Sequence, residues 1–116
     1  MRNARRLHVN VTAAVLALAG AGNAYADCSG VACSNVKITA VYVDGVASNW
    51  LSTSGTETNL SCTPDSGTLL KLNPSAVKSD WLYSLTLSAY LTQQTVFVRT
   101  NVSGPCEVVY VSSGSY

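Results

Sequence analysis

One stretch of the sequence decides which fold the chain can adopt. Residues 79–98 read SDWLYSLTLSAYLTQQTVFV. Between Tyr83 and Leu91 the apolar and polar residues alternate, which is typical of a half-buried strand. Trp81 or Leu82, Leu85 and Ala89 also recur at spacings that share one face of a helix. A strand here would give an all-β sandwich, whereas a helix would give a small barrel that carries one helix.

The residues that flank this stretch favour the helix. A strand would have to turn back at residues 92–94, which read TQQ and hold none of the Gly, Asn or Asp residues that hairpin turns prefer. Ser75, Ser79 or Asp80 can cap the start of a helix. The threonines and serines within the stretch are weak helix formers and count against it. We therefore predict a helix over residues 76–93.

The rest of the chain predicts strands. Asp44-Gly45 is a hairpin signal, and a turn-rich segment follows at residues 63–67. Runs of β-branched or alternating residues predict strands over residues 36–44, 46–53, 56–62, 68–72, 95–102 and 106–112, the third of them only weakly alternating. The expected fold class is β-rich with one helix (α+β), an antiparallel barrel of five to six strands.

The first 26 residues have the features of a signal peptide that is removed. Arg2, Arg5 and Arg6 form a positive segment, and a short apolar run covers residues 13–21. Small residues at positions 24 and 26 (in AYA) supply a cleavage site. The apolar run is shorter than the ~20 residues that a membrane-spanning helix needs, so we expect no membrane insertion. Cleavage leaves a single domain over residues 27–116, secreted or periplasmic, in a bacterial export context.

The composition of residues 27–116 excludes several classes of function. The only histidine, His8, lies in the signal peptide, so the domain cannot form a Ser-His-Asp site and lacks the commonest metal ligand. Four cations and six carboxylates remain, a net charge of −2, which disfavours nucleic-acid binding. The carboxylates are scattered singly and do not pair as in glycosidases. We expect no enzyme, no cofactor and no metal, with a small hydrolase as an alternative.

Four cysteines, Cys28, Cys33, Cys62 and Cys106, remain in the domain. In a small exported domain an even number of cysteines indicates disulfide bonds. Three pairings are possible. We favour a short loop closed by Cys28–Cys33 and a long one closed by Cys62–Cys106, which in the chain-entropy model stabilises by about 4 kcal/mol. A four-cysteine zinc site is the alternative, but no C-x-x-C pair is present.

The second half of the chain resembles a group of small exported bacterial proteins. In these, a Tyr-Ser-x-x-Leu-(Ser/Thr)-Ala run precedes a Val-rich strand, a cysteine and a last Val/Ile-rich strand; here the run is residues 83–89, YSLTLSA, followed by residues 95–99, Cys106 and residues 107–111. The arrangement is similar to the OB-fold B subunits of bacterial toxins, including the subtilase-cytotoxin type. The resemblance spans most of residues 33–112 and implies a small OB-like barrel with a helix over the ambiguous stretch. It implies no glycan-contacting residue, because no such motif matches position by position.

Aromatic residues are the best candidates for a binding site. Trp50 lies beside Asn49 and Ser48, and aromatic faces with neighbouring amide and hydroxyl groups are suited to sugars. The alternative is that most aromatic residues pack the barrel. Leftover apolar residues at the surface would serve oligomerisation.

These features predict an exported, non-enzymatic binding domain similar to a toxin B subunit. Its expected ligand is a cell-surface glycan, and a homo-oligomer such as a pentamer is the expected assembly. The alternative is an envelope or secreted protein-interaction domain, or a protease inhibitor, that binds no glycan.

Overall fold

The computed structural model describes residues 26–45, 48–73 and 79–113. Residues 1–25, which carry nearly all of the predicted signal peptide, lie outside this part. The elements follow in the order β1 (Asp27–Ser29), β2 (Ala32–Val36), β3 (Ile38–Val43), β4 (Asn49–Thr53), a 3₁₀ helix (Glu57–Asn59), β5 (Leu70–Leu72), α1 (Ser79–Thr92), β6 (Val96–Thr100) and β7 (Glu107–Ser113). The predicted β-rich fold with one helix is confirmed.

The strands form one sheet that curls into a partly open barrel. Their order in the sheet is β1-β2-β6-β7-β5-β4-β3. Only Lys37 separates β2 from β3, yet β2 pairs with β6 near one end of the order and β3 pairs with β4 at the other. The sheet must curl for one bent segment to reach both ends. Apart from the β1–β2 hairpin this is the five-stranded OB-like architecture, with α1 between the third and fourth barrel strands.

The core follows from the alternation along each strand. Inward-facing residues such as Leu51 on β4, Leu70 on β5 and Val98 on β6 are fully buried. The helix α1 packs on β3, β5 and β7. Its buried residues are Thr86 and Ala89, and Leu82, Tyr83 and Leu85 pack partly buried against the core. The ambiguous stretch therefore forms the helix that its apolar spacing predicts, and not the strand that its alternation suggests.

The end of α1 shows why a segment without glycine can stop a helix. Gln93 follows the last helical residue with φ 56°, the left-handed conformation usually taken by glycine, and the Gln94 amide donates to the Ala89 carbonyl oxygen at 3.2 Å. The Gln93 side-chain Nε2 donates to the carbonyl oxygens of Tyr90 (2.8 Å) and Ile38 (3.3 Å). These bonds offset the strain and attach the helix end to β3. The predicted start of the helix, residues 76–78, lies outside the described residues.

The sheet differs from the prediction in its N-terminal part. Residues 27–36 form a hairpin, β1–β2, which brings the strand number to seven instead of five to six. The predicted strand over residues 56–62 is wrong, because Glu57–Asn59 forms a 3₁₀ helix. The Glu57 side chain turns back into the core, where its Oε2 accepts from the amide (2.6 Å) and hydroxyl (2.9 Å) of Thr53, and an extended strand would not allow this.

Two further details refine the predicted barrel. The pair β5–β7 is parallel, whereas the other strand pairs of the described sheet are antiparallel. The strand predicted over residues 46–53 is seen as β4 from Asn49, and residues 46–47 lie outside the described part.

Both favoured disulfides are confirmed. Cys28 and Cys33 lie opposite each other in the β1–β2 hairpin and are fully buried. Cys62 and Cys106 join the chain before β5 to the chain before β7, across 44 positions of sequence. Cys106 of the second bridge also lines a surface groove.

Candidate ligand-binding groove

A row of outward-facing side chains crosses four neighbouring strands. Tyr42 on β3 pairs with Trp50 on β4, Trp50 pairs with Lys71 on β5, and Lys71 pairs with Glu107 on β7. Directly paired residues lie on the same face of a sheet. The adjacent row, which contains Leu51 and Leu70, is buried, so this row faces outward by alternation.

The middle of this row forms the base of a groove of about 480 Å³. Trp50, Lys71 and Glu107 line it from the sheet, and the chain at residues 63–66 and 104–106 forms its walls. We call this site the Trp50 groove. Its base consists of regular strands. The positions of Trp50, Lys71 and Glu107 are therefore fixed by the pairing of these strands.

The two walls are attached to each other by covalent and hydrogen bonds. The Thr63 amide donates to the Gly104 carbonyl oxygen at 2.8 Å, and the Cys106 amide donates to the Thr63 carbonyl oxygen at 2.9 Å. The Cys62–Cys106 disulfide lies directly beside these bonds. A ligand therefore meets walls whose positions are already set, which lowers the entropic cost of binding.

The wall at residues 63–66 belongs to a tight turn. The Asp65 amide and the Leu69 amide each donate to the other residue's carbonyl oxygen at 2.9 Å. Between them Ser66 and Gly67 take left-handed φ values of 53° and 82°. This turn sets the position of Asp65 in the wall of the Trp50 groove.

Asn101 orders the opposite wall. Its side-chain Nδ2 donates to the carbonyl oxygens of Ser103 and Pro105, each at 2.8 Å, and its Oδ1 accepts from the Glu107 amide at 2.8 Å. The loop between β6 and β7 thus closes around one side chain that also sets the start of β7. A sequence match to a glycosylation signal begins at Asn101, but its amide is used inside the protein.

The chemistry of the Trp50 groove combines an aromatic face with charges of both signs. The Lys71 ammonium lies 5.7 Å from the centroid of the Trp50 ring, a cation–π contact. Asp65 and Glu107, two acidic residues, also line the groove. The groove thus offers one ring for stacking, donors on Lys71, and acceptors on the two acids.

The Trp50 indole has an unsatisfied donor. Its Nε1 is buried and donates to no acceptor in the described part of the chain. Thr86 Oγ1, within the helix that covers the core, is the other buried side-chain polar atom without a partner among these residues. Most buried polar groups in proteins are paired, so each exception calls for an explanation.

The structure separates the three candidate contacts of the sequence. Trp50 lines the groove, but Asn49 pairs with Leu72 in the row that faces the core. Ser48 lies in the β3–β4 loop, where its amide donates to the Asp44 carboxylate at 3.1 Å and its carbonyl oxygen accepts from the Asp44 amide at 3.0 Å. Trp50 therefore shares the groove with Lys71, Glu107 and Asp65, and not with Asn49 and Ser48.

A scan of the chain against family models, and searches among curated proteins and solved structures, find no match. Across residues 26–45, 48–73 and 79–113, no helix has the length and hydropathy to cross a membrane. The same residues contain no cluster of three or more His, Cys, Asp or Glu side chains placed to hold a metal ion. The fold and the groove together define an OB-like barrel with an aromatic, mixed-charge surface site.

Proposed function

We propose that this protein is an exported, non-enzymatic binding domain that recognises a cell-surface glycan in the Trp50 groove. The single observation that carries the proposal is the joint presence of the Trp50 ring, the Lys71 ammonium and the carboxylates of Asp65 and Glu107 in one groove of about 480 Å³. A sugar offers CH groups that stack on an aromatic face and hydroxyls that both donate and accept. The groove supplies partners for each of these.

The position of the groove on the barrel supports a binding role. OB folds bind oligosaccharides or oligonucleotides on the face of their second and third strands and at the adjoining loops. In this chain those strands are β4 and β5, which carry Trp50 and Lys71, and the β6–β7 loop forms one wall. Two carboxylates beside one ammonium would repel a phosphate backbone, which favours the saccharide.

The proposal extends to assembly as a ring of subunits, as in toxin B subunits. Support comes from apolar residues that remain exposed outside the groove. Trp81 and Leu91 on α1 are 69% and 71% exposed, and Val109 on β7 is 59% exposed. Large exposed apolar side chains at several places are typical of surfaces that another chain covers.

The same exposed residues support a second candidate function. A protein-interaction domain or protease inhibitor would use Trp81 and Leu91 of α1 to contact a partner protein and would bind no glycan. The two candidates place the essential tryptophan at different sites, Trp50 for the glycan and Trp81 for the protein partner.

A glycan array with the purified protein and two matched variants separates the candidates. We expect the unmodified protein to bind a defined set of glycans, Trp50→Ala to lose at least about tenfold in affinity, and Trp81→Ala to keep it, because Trp81 lies outside the groove. Equal losses in both variants, with both folded by circular dichroism, contradict the assignment of the groove. The absence of binding to any glycan contradicts the proposed function.

A further inference from the structure

We propose that the Trp50 groove selects neutral oligosaccharides and excludes those that carry a carboxylate or sulfate group. This inference rests on the proposed function and specifies the class of glycan that the same groove takes. The charges that line the groove carry it, because Coulomb interactions act over several ångströms and require no direct contact.

The groove has few partners for an anion. Lys71 is the only cation among the described residues that line it. Lys37 and Arg99, the other cations in the described part of the chain, do not line it. Proteins bind anionic groups most strongly through charge-assisted hydrogen bonds, for which Arg and Lys are the usual donors. An acidic sugar would therefore depend on Lys71 alone for a cationic partner.

Two neighbours already offset the charge of Lys71. Its ammonium lies 5.7 Å from the centroid of the Trp50 ring, whose electron-rich face attracts a cation. Glu107 pairs directly with Lys71 across β5 and β7, so the two side chains leave the sheet on the same face. A ligand anion would have to compete with both neighbours for one ammonium.

Asp65 leaves the groove with a net negative charge. It is exposed in the wall formed by residues 63–66, where the Ser66 hydroxyl donates to its Oδ2 at 3.5 Å and neutralises no charge. Two acids and one lysine give the lining a formal charge of −1. At physiological ionic strength charges are screened only beyond about 8 Å, so an anionic group within the groove is repelled.

The uncharged lining residues suit a neutral sugar. Trp50 supplies the aromatic ring, Thr63 and Ser66 carry hydroxyls that donate and accept, and Pro64 and Pro105 are apolar. The groove volume of about 480 Å³ falls within the ~300–1,000 Å³ that is typical of sites for small ligands. A short neutral oligosaccharide therefore fits both the size and the charge of the groove.

Pairs of glycans that differ by one charged group provide the test. On the array, each neutral glycan is compared with the same glycan bearing a terminal sialic acid or a sulfate group, and the affinities of bound pairs are measured by isothermal titration calorimetry. We expect the neutral form to bind at least about tenfold more tightly at low ionic strength. Added salt should narrow this difference, because screening weakens the repulsion, whereas a purely steric exclusion would not respond to salt.

Removal of the negative charges from the groove gives the matched variants. The double variant Asp65→Asn/Glu107→Gln keeps the size and polarity of both side chains. We expect its preference for the neutral form to fall to within about threefold. Asp80→Asn removes an exposed acid at the start of α1, outside the groove, and should leave the preference unchanged.

Three results overturn the inference: an acidic glycan that binds as tightly as its neutral parent, a preference that does not respond to salt, or an unchanged preference in the double variant. The proposed function is decided separately. Binding of acidic glycans that is lost in Trp50→Ala leaves that function standing and removes only the assignment to neutral sugars. Absence of binding to any glycan removes both.

Discussion

The ammonium nitrogen of Lys71 lies 5.7 Å from the centroid of the Trp50 ring, and the two residues are directly paired across β4 and β5. The sheet register therefore sets a charge over an aromatic face at the base of the groove. This pair links the stability of the barrel surface to the proposed ligand binding, because the same ring would serve both.

Replacing Lys71 by methionine removes the ammonium and keeps most of the stem. We expect the free energy of unfolding to fall by less than about 1 kcal/mol, since a cation–π contact at a partly exposed site contributes ~0.5–1 kcal/mol. Glycan affinity should fall more clearly, because a donor is lost from the groove. Urea unfolding and calorimetric titration measure the two effects, with Lys37→Met at an exposed position as the control. Unchanged affinity in Lys71→Met contradicts the role given to Lys71.

Replacing Glu57 by alanine tests the reason why a predicted strand is a 3₁₀ helix. The change removes the acceptor of the Thr53 amide and hydroxyl, both buried. We expect a loss of about 2–3 kcal/mol in the free energy of unfolding for Glu57→Ala and a smaller loss for Glu57→Gln, which retains an acceptor oxygen. Thr58→Ala, exposed in the same 3₁₀ helix, should change stability by less than about 0.5 kcal/mol. If Glu57→Ala unfolds at the same urea concentration as Thr58→Ala, the buried carboxylate is not structural.

Two substitutions of Gln93 distinguish the effect of backbone strain from that of side-chain hydrogen bonds at the end of α1. Gln93→Gly and Gln93→Ala both remove the bonds to the Tyr90 and Ile38 carbonyl oxygens, but alanine keeps the cost of φ 56° and glycine does not. We expect Gln93→Ala to be less stable than Gln93→Gly by about 1 kcal/mol in urea unfolding. The opposite order would show that the left-handed conformation is not retained in the variants.

The Asp27 carboxyl should make the free energy of unfolding depend on pH. Its Oδ1 accepts from the amides of Thr56 at 2.9 Å and Cys28 at 2.8 Å, and these bonds hold the pKa of the carboxyl below its ordinary value of 3.8. A lowered pKa in the folded state means that the stabilisation is fully present above pH 3.8 and is lost as the pH falls through the folded pKa. The unmodified protein should therefore exceed Asp27→Asn in urea midpoint at pH 6.

The advantage over Asp27→Asn should shrink as the pH falls below 3.8, once the carboxyl is protonated in both the folded and unfolded states. Urea midpoints of the two proteins, measured in steps between neutral and strongly acidic pH, give this difference directly. A gap that stays constant over that range would mean that the Asp27 charge does not stabilise the hairpin.

The features that the sequence predicted correctly have strong local signals. Helical spacing of Trp81 or Leu82, Leu85 and Ala89, together with a poor hairpin link, predicts α1. The even number of cysteines predicts disulfides, and the favoured one of three possible pairings is the observed one. The hairpin β1–β2 was missed because β1 is only three residues long. The 3₁₀ helix was missed because the burial of Glu57 depends on acceptance from Thr53, which no local propensity reveals.

The groove was only partly predictable, for a topological reason. Trp50 was identified from its own chemistry, and strand alternation already indicates that Asn49 lies on the opposite face. Lys71 and Glu107 meet only because β5 and β7 pair in parallel, across a sequence gap that contains the whole of α1 and β6. Pairing of distant strands is set by the closure of the barrel and leaves no mark in either strand's own residues.

The location of the bound glycan tests the account's central claim most directly. We would titrate the ¹⁵N-labelled protein with the tightest-binding glycan from the array and map the shifted signals onto the structure. The account predicts that the shifts centre on the Trp50 indole, Lys71 and Glu107, with the solvent face of α1 around Trp81 unchanged. Shifts that centre on α1 and spare the indole of Trp50 would contradict it.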